Sequence, residues 1–147
     1  MKTIFLIAGE SSGDIHGANL IRAIKKKNPE VHCFGLGGQA MAAAGMELIH
    51  DLASDAIMGF VEVLRRVRPL RRLFLDTVAL VKERRPDVIV LIDYPGFNIR
   101  FAEAVKELGI PVVYYICPQV WAWKKKRLDT IARLVRKALV IFPFETD

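Results

Sequence analysis

The sequence predicts an α/β domain: a doubly wound, mostly parallel sheet with helices on both faces. Three observations carry this reading. Short apolar runs such as TIFLIA (Thr3 to Ala8) and VIVLI (Val88 to Ile92) are unbroken, as strands buried on both faces require. Stretches with apolar residues at helical spacing lie between them, as with Ile15, Ala18, Ile21 and Ile24. Regular alternation of strand and helix then implies right-handed crossovers and parallel pairing.

At 147 residues the chain is most simply one domain. Its mean hydropathy of +0.26 sits on the apolar side, consistent with a covered sheet. A net charge of +6 points to anionic partners such as phosphates, nucleic acid or acidic lipid without choosing among them. Cys33 and Cys117 fall in apolar runs and read as small buried thiols, with no metal or disulfide spacing. The N-terminal apolar run is too short for a signal peptide and leads straight into Glu10 and Asp14. No stretch approaches the roughly 20 residues needed to span a bilayer, so a cytoplasmic location is expected.

In chain order, Thr3 to Ala8 reads as the first strand and Gly9 to Gly13 as a tight turn, with a helix from about Asp14. Lys25, Lys26 and Lys27 suit its last turn and Asn28-Pro29 ends it. Val31 to Leu36 is the second strand, followed by a short helix from about Gln39 to Ala44 with Gly45 as cap. Apolar stripes at Ile57, Phe60, Val61 and Leu64, and at Leu70, Leu73, Phe74, Val78 and Val81, predict two helices or one kinked helix about Pro69. Pro86 ends that region and Val88 to Ile92 is the third strand. Tyr94-Pro95-Gly96-Phe97 suits a type II turn before a helix from about Asn98 to Leu108. Val112 to Ile116 is the fourth strand, a helix follows from near Trp121 to about Arg136, and Ala138 to Phe142 is the fifth. The chain then stops at an exit loop with nothing to cover the last strand, and reads as cut.

Ligands of open α/β sheets bind beyond the carboxyl ends of the strands, which singles out Asp93. A carboxylate with an ordinary pKa of about 3.9 is ionised at pH 7 and able to accept a proton. The alternative is that it accepts hydrogen bonds from the turn after it. Asn98 reads as an N-cap rather than a ligand contact. The Gly9-Glu10-Ser11-Ser12-Gly13-Asp14 loop joins strand to helix, a setting that holds anions, yet it matches no dinucleotide or Walker pattern. Its plain reading is a tight turn with Ser12 or Asp14 as N-cap. Trp121 to Arg127 (WAWKKKR) puts two indoles and four cations at a helix start, either facing an anion or forming a solvated basic face. The basic amphipathic region from Ile57 to Val81 fits either a membrane surface or packing on the sheet with an arginine rim. No nucleic-acid motif accompanies the charge.

Taken in order, AGESSGD (Ala8 to Asp14), MGFVEVL (Met58 to Leu64), IDYPGFN (Ile92 to Asn98), PQVWAWKKKR (Pro118 to Arg127) and FPFE (Phe142 to Glu145) resemble the lipid-A-disaccharide synthases. The resemblance runs along the whole chain and rests on the ordered set. It implies a Rossmann-like half of a GT-B glycosyltransferase, inverting, with no cofactor and no metal. The implied reaction moves 2,3-diacylglucosamine from UDP to the 6-hydroxyl of 2,3-diacylglucosamine 1-phosphate (lipid X) in lipid A biosynthesis. Asp93 matches the family's candidate base. Glu10, Ser12, Gly13, Asp14, Asn98, Gln119, Trp121 and Arg127 are the implied substrate contacts. Phe60, Val61, Leu64, Arg65, Arg68, Leu70, Arg72 and Leu73 are the implied membrane contacts, giving a peripheral location on the anionic inner face of the inner membrane. Lys124 and Gly96 depart from residues common in the family, an arginine and an acidic residue respectively. The family has a second, C-terminal domain that binds most of the nucleotide sugar, so residues 1–147 are expected to be the acceptor-side half and not to turn over alone. Two other classes compete: a non-catalytic basic α/β module that docks on acidic lipid or a partner protein, and an unrelated nucleotide-binding enzyme, which the missing GxGxxG disfavours.

Overall fold

A computed structural model of the chain describes residues 2–55, 67–115 and 137–139. Its centre is a six-stranded sheet: β1 (Thr3–Ala8), β2 (His32–Gly37), β3 (Glu47–Asp51), β4 (Val88–Ile92), β5 (Val112–Tyr115) and β6 (Lys137–Leu139). The spatial order is β3-β2-β1-β4-β5-β6 and every pair is parallel. This is the doubly wound arrangement that the alternating sequence predicts. Winding proceeds outward from β1 through β2 and β3 in one direction, and from β4 through β5 and β6 in the other.

The two windings put helices on opposite faces, and the alternation of side chains along β1 shows it directly. Phe5 and Ile7 join a core with Phe34, Leu36, Ile89, Leu91 and Tyr114, closed by Val81 of α4 (Val67–Arg84) and by Phe97, Phe101 and Val105 of α5 (Pro95–Val105). Leu6 and Ala8 point the other way, joining Cys33, Val90 and Ile92 under Ala18 and Ile21 of α1 (Ser11–Lys27) and Met41 of α2 (Gln39–Ala43). A fully buried strand side chain of this size contributes about 1.5–3 kcal/mol. The periodicity of two therefore fixes which helix covers which face.

Several expectations are corrected. The strand Glu47–Asp51 is not apparent in the sequence, because at the sheet edge it pairs on one side only and shows no continuous apolar run. A short helix, α3 (Leu52–Asp55), follows it. Helix α1 begins at Ser11, so residues 9–13 are not a free-standing turn, and Glu10 is its N-cap with no side-chain capping bond. Neither Ser12 nor Asp14 caps it. Helix α5 begins at Pro95, with proline in the first turn where its missing N–H costs nothing. Tyr94 holds the N-cap position, so the expected type II turn and the Asn98 cap give way to an earlier helix start. Pro69 lies in the first turn of α4, and the first apolar stripe, residues 57–64, lies outside the described residues. Cys33 is buried, and burial pushes its thiol up; Cys117 lies outside the described residues.

Candidate active site at the sheet switch point

The register of β1 on β4 ends with Ala8 opposite Ile92, so the next residues, Gly9 and Asp93, emerge side by side. They do so where the strand order reverses, which opens a crevice at the carboxyl edge of such sheets. The approach is close enough that a Cβ on Gly9 would sit inside the Tyr94 ring. Glycine is thus required there by contact between the two loops.

Asp93 and Tyr94 both have left-handed backbones, with φ of 45° and 48°. Non-glycine residues in this region each carry strain of about 1–3 kcal/mol unless the surroundings enforce it. Here the enforcement is explicit. The Tyr114 hydroxyl donates to the Asp93 carbonyl at 2.6 Å and the Asn98 Nδ2 donates to it at 2.7 Å. The same amide reaches the Ile92 carbonyl at 3.3 Å. Asn98 is fully buried, so its amide brackets the turn that carries Asp93. Tyr114 has no place in the sequence-based set. Only the β4–β5 pairing, with Leu91 opposite Tyr114, brings its hydroxyl to the turn.

The Asp93 carboxyl is half-buried, and its Oδ1 has no hydrogen-bond partner among the described residues. Burial pushes its pKa up to about 7, with the nearby Glu10 carboxylate adding to the rise. This corrects the expectation of an ordinary, fully ionised aspartate. A group poised near neutrality, with an unused buried oxygen, accepts a proton more effectively than one at pKa 4.

The first loop divides its labour. Glu10 is exposed beside Asp93, Ser12 is exposed in the first turn of α1, and Gly13 is buried against Ala8 and Ile92. Asp14 turns away from the crevice. Its carboxylate accepts from the backbone N–H groups of Gly38, Ala40 and Met41 at 2.9–3.1 Å, so it caps α2 from across the sheet edge. Leu70 and Arg72 of α4 are exposed, whereas Leu73 packs partly against the core. The side chains of Phe60, Val61, Leu64, Arg65, Arg68, Gln119, Trp121 and Arg127 lie outside the described residues, as does the helix predicted over residues 121–136.

Residues 4–147 match the family model described as lipid-A-disaccharide synthetase. The chain belongs to that family. A lipid-A-disaccharide synthase from Myxococcus xanthus is 44% identical over 144 residues, covering 98% of this chain and 38% of the relative. One from Koribacter versatilis is 46% identical over 149 residues, covering 99% of this chain and again 38% of the relative. The chain thus spans under two-fifths of these synthases. Among solved structures, Acinetobacter baumannii MurG superposes with a TM-score of 0.61 at 15% identity, over 98% of this chain and 42% of that one. The Staphylococcus aureus MnaA–UDP structure gives 0.64 at 12% identity, over 95% and 38%. These likenesses show the fold alone, a Rossmann-like α/β sheet of the kind found in GT-B proteins.

Proposed function

We propose that this chain is the acceptor-side half of a lipid-A-disaccharide synthase, with Asp93 as the general base. In that reaction the 6-hydroxyl oxygen of 2,3-diacylglucosamine 1-phosphate attacks the anomeric carbon of UDP-2,3-diacylglucosamine. The carbon–oxygen bond to UDP breaks, the configuration inverts, and the hydroxyl proton passes to the Asp93 carboxylate. The observation that carries the reading is the carboxyl itself: at the switch point, raised to about 7, with Oδ1 unpartnered among the described residues. An acceptor hydroxyl supplies the missing partner. Glu10 supports the assignment by raising the pKa of the base.

The chain covers 38% of such a relative, and the proposal assigns most of the donor site to the remainder. Residues 1–147 alone are therefore expected not to release UDP; adding the C-terminal half of a relative in trans restores release with lipid X. In the restored complex Asp93→Asn lowers turnover by about 10²- to 10⁴-fold. A verified folded complex with no activity, or full activity in Asp93→Asn, would defeat the assignment. A peripheral location on the anionic inner membrane surface is part of the same proposal. The exposed basic and apolar side chains of α4, Leu70, Arg71, Arg72 and Leu75, support it.

A further inference from the structure

Helices α4 and α5 cross the face of the sheet beside each other and leave a groove of about 770 Å³ between them. Its apolar lining is Leu70, Phe74, Leu75 and Phe97, and it includes Tyr94, the residue directly after Asp93. Leu75 is 56% exposed and Leu70 36%, so the groove is an uncovered apolar surface among the described residues. Arg71 and Arg100 complete the lining, which contains no acidic residue. Neither guanidinium has a carboxylate partner among the described residues, although neighbouring Arg72 pairs with Asp76. Gly96 keeps the floor open, since a Cβ there would meet nothing within 4 Å.

The size suits a small-molecule site, and such sites are mostly apolar with a few polar groups that fix orientation. The two arginines specify those groups: planar forks suited to phosphate oxygens. Apolar walls, two arginines in the lining and a lining residue next in sequence to the base together describe an amphiphile with an anionic head and an acyl tail. We propose that this groove seats an acyl chain of the phosphorylated acceptor while Arg71 and Arg100 hold its phosphate. The proposal rests on the acceptor-side reading and adds to it a specific subsite. It explains why a cationic pair lies on an otherwise apolar groove: a phosphate there orients the sugar so that its free hydroxyl faces Asp93.

The test reads binding rather than turnover, so failure of Asp93 as a base leaves its result unaffected. Dihexanoyl phosphatidic acid, held below its critical micelle concentration, is titrated calorimetrically into the 147-residue chain. Saturable one-to-one binding is expected, weakened about tenfold or more in Arg71→Gln/Arg100→Gln, as for loss of charge-assisted bonds. Gly96→Phe, which grows into open space, should block binding, and Arg22→Gln on the opposite face should leave it unchanged. Inorganic phosphate alone should bind far more weakly. No saturable binding, equal binding by the double variant, equal affinity for inorganic phosphate, or binding to anionic vesicles but not to the monomeric lipid would overturn the proposal.

Discussion

Asp93 illustrates how a single side chain acquires chemistry from its surroundings. Its carboxyl is raised to about 7, so the protonated form prevails below that pH and turnover of the restored complex should rise as pH passes through it. Glu10→Gln removes the like charge, so the rising limb should move to lower pH; a limb that does not move would leave burial as the sole cause. The same shift acts on folding. Between the ordinary 3.8 and about 7 the folded chain holds a proton that the unfolded chain releases, so stability falls as pH rises through this window. Asp93→Asn should therefore stabilise the chain by about 1–3 kcal/mol above pH 7 and by little near pH 3, measured by urea unfolding at both. Tyr114→Phe removes one of the two donors on the Asp93 carbonyl and should cost about 1 kcal/mol, because Asn98 still holds the oxygen.

Among the elements, the bond between α1 and α2 is the least expected. Asp14 is buried and accepts from the three N–H groups that open α2, a helix of five residues too short to hold together alone. Its carboxylate packs so closely on Gly38 that a Cβ there would meet Oδ2 at 2.5 Å. Asp14→Ala leaves those donors without their acceptor and should destabilise the chain by about 2–4 kcal/mol in urea unfolding. At the start of β3, Arg84 at the end of α4 grips Glu47 with two bonds of 3.1 Å and lies 3.9 Å above the Phe34 ring. That fork holds the Glu47 carboxyl below its usual range and ties α4 to the edge strand. Its neighbour His32 lies 2.8 Å from the same carboxylate.

For the whole molecule, the charge excess and the exposed side of α4 lead to one measurable expectation. The chain should bind anionic vesicles, salt should weaken the binding, and charge reversal at Arg65, Arg68 and Arg72 should weaken it further. Co-sedimentation checks this, and equal binding by the reversed variant would remove the membrane from the proposal. The sheet explains why the first and third apolar strands belong to one site. They lie 80 residues and more apart in sequence, yet the pairing of Ala8 with Ile92 makes them neighbours.

The sequence by itself determined the α/β alternation, the parallel sheet, helices α1, α2, α4 and α5 at about the right places among the described residues, and Asp93 as the residue to watch. These rest on local patterns: unbroken apolar runs, helical spacing and a carboxylate at a strand end. The ordered motifs also carried the family, since they are read one after another along the chain. Tertiary structure decided the rest. The edge strand Glu47–Asp51 became visible only through its pairing with β2, because an edge position asks for no apolar run. Asp14 and Asn98, which read locally as caps of their own helices, instead hold α2 and the turn after β4, and neither partner is inferable from spacing. The pKa of Asp93 likewise depends on burial and on Glu10, both products of long-range packing. A strand-end aspartate is written in the sequence; a base poised near neutrality is made by the fold, because desolvation and the neighbouring charge exist only once the two loops meet.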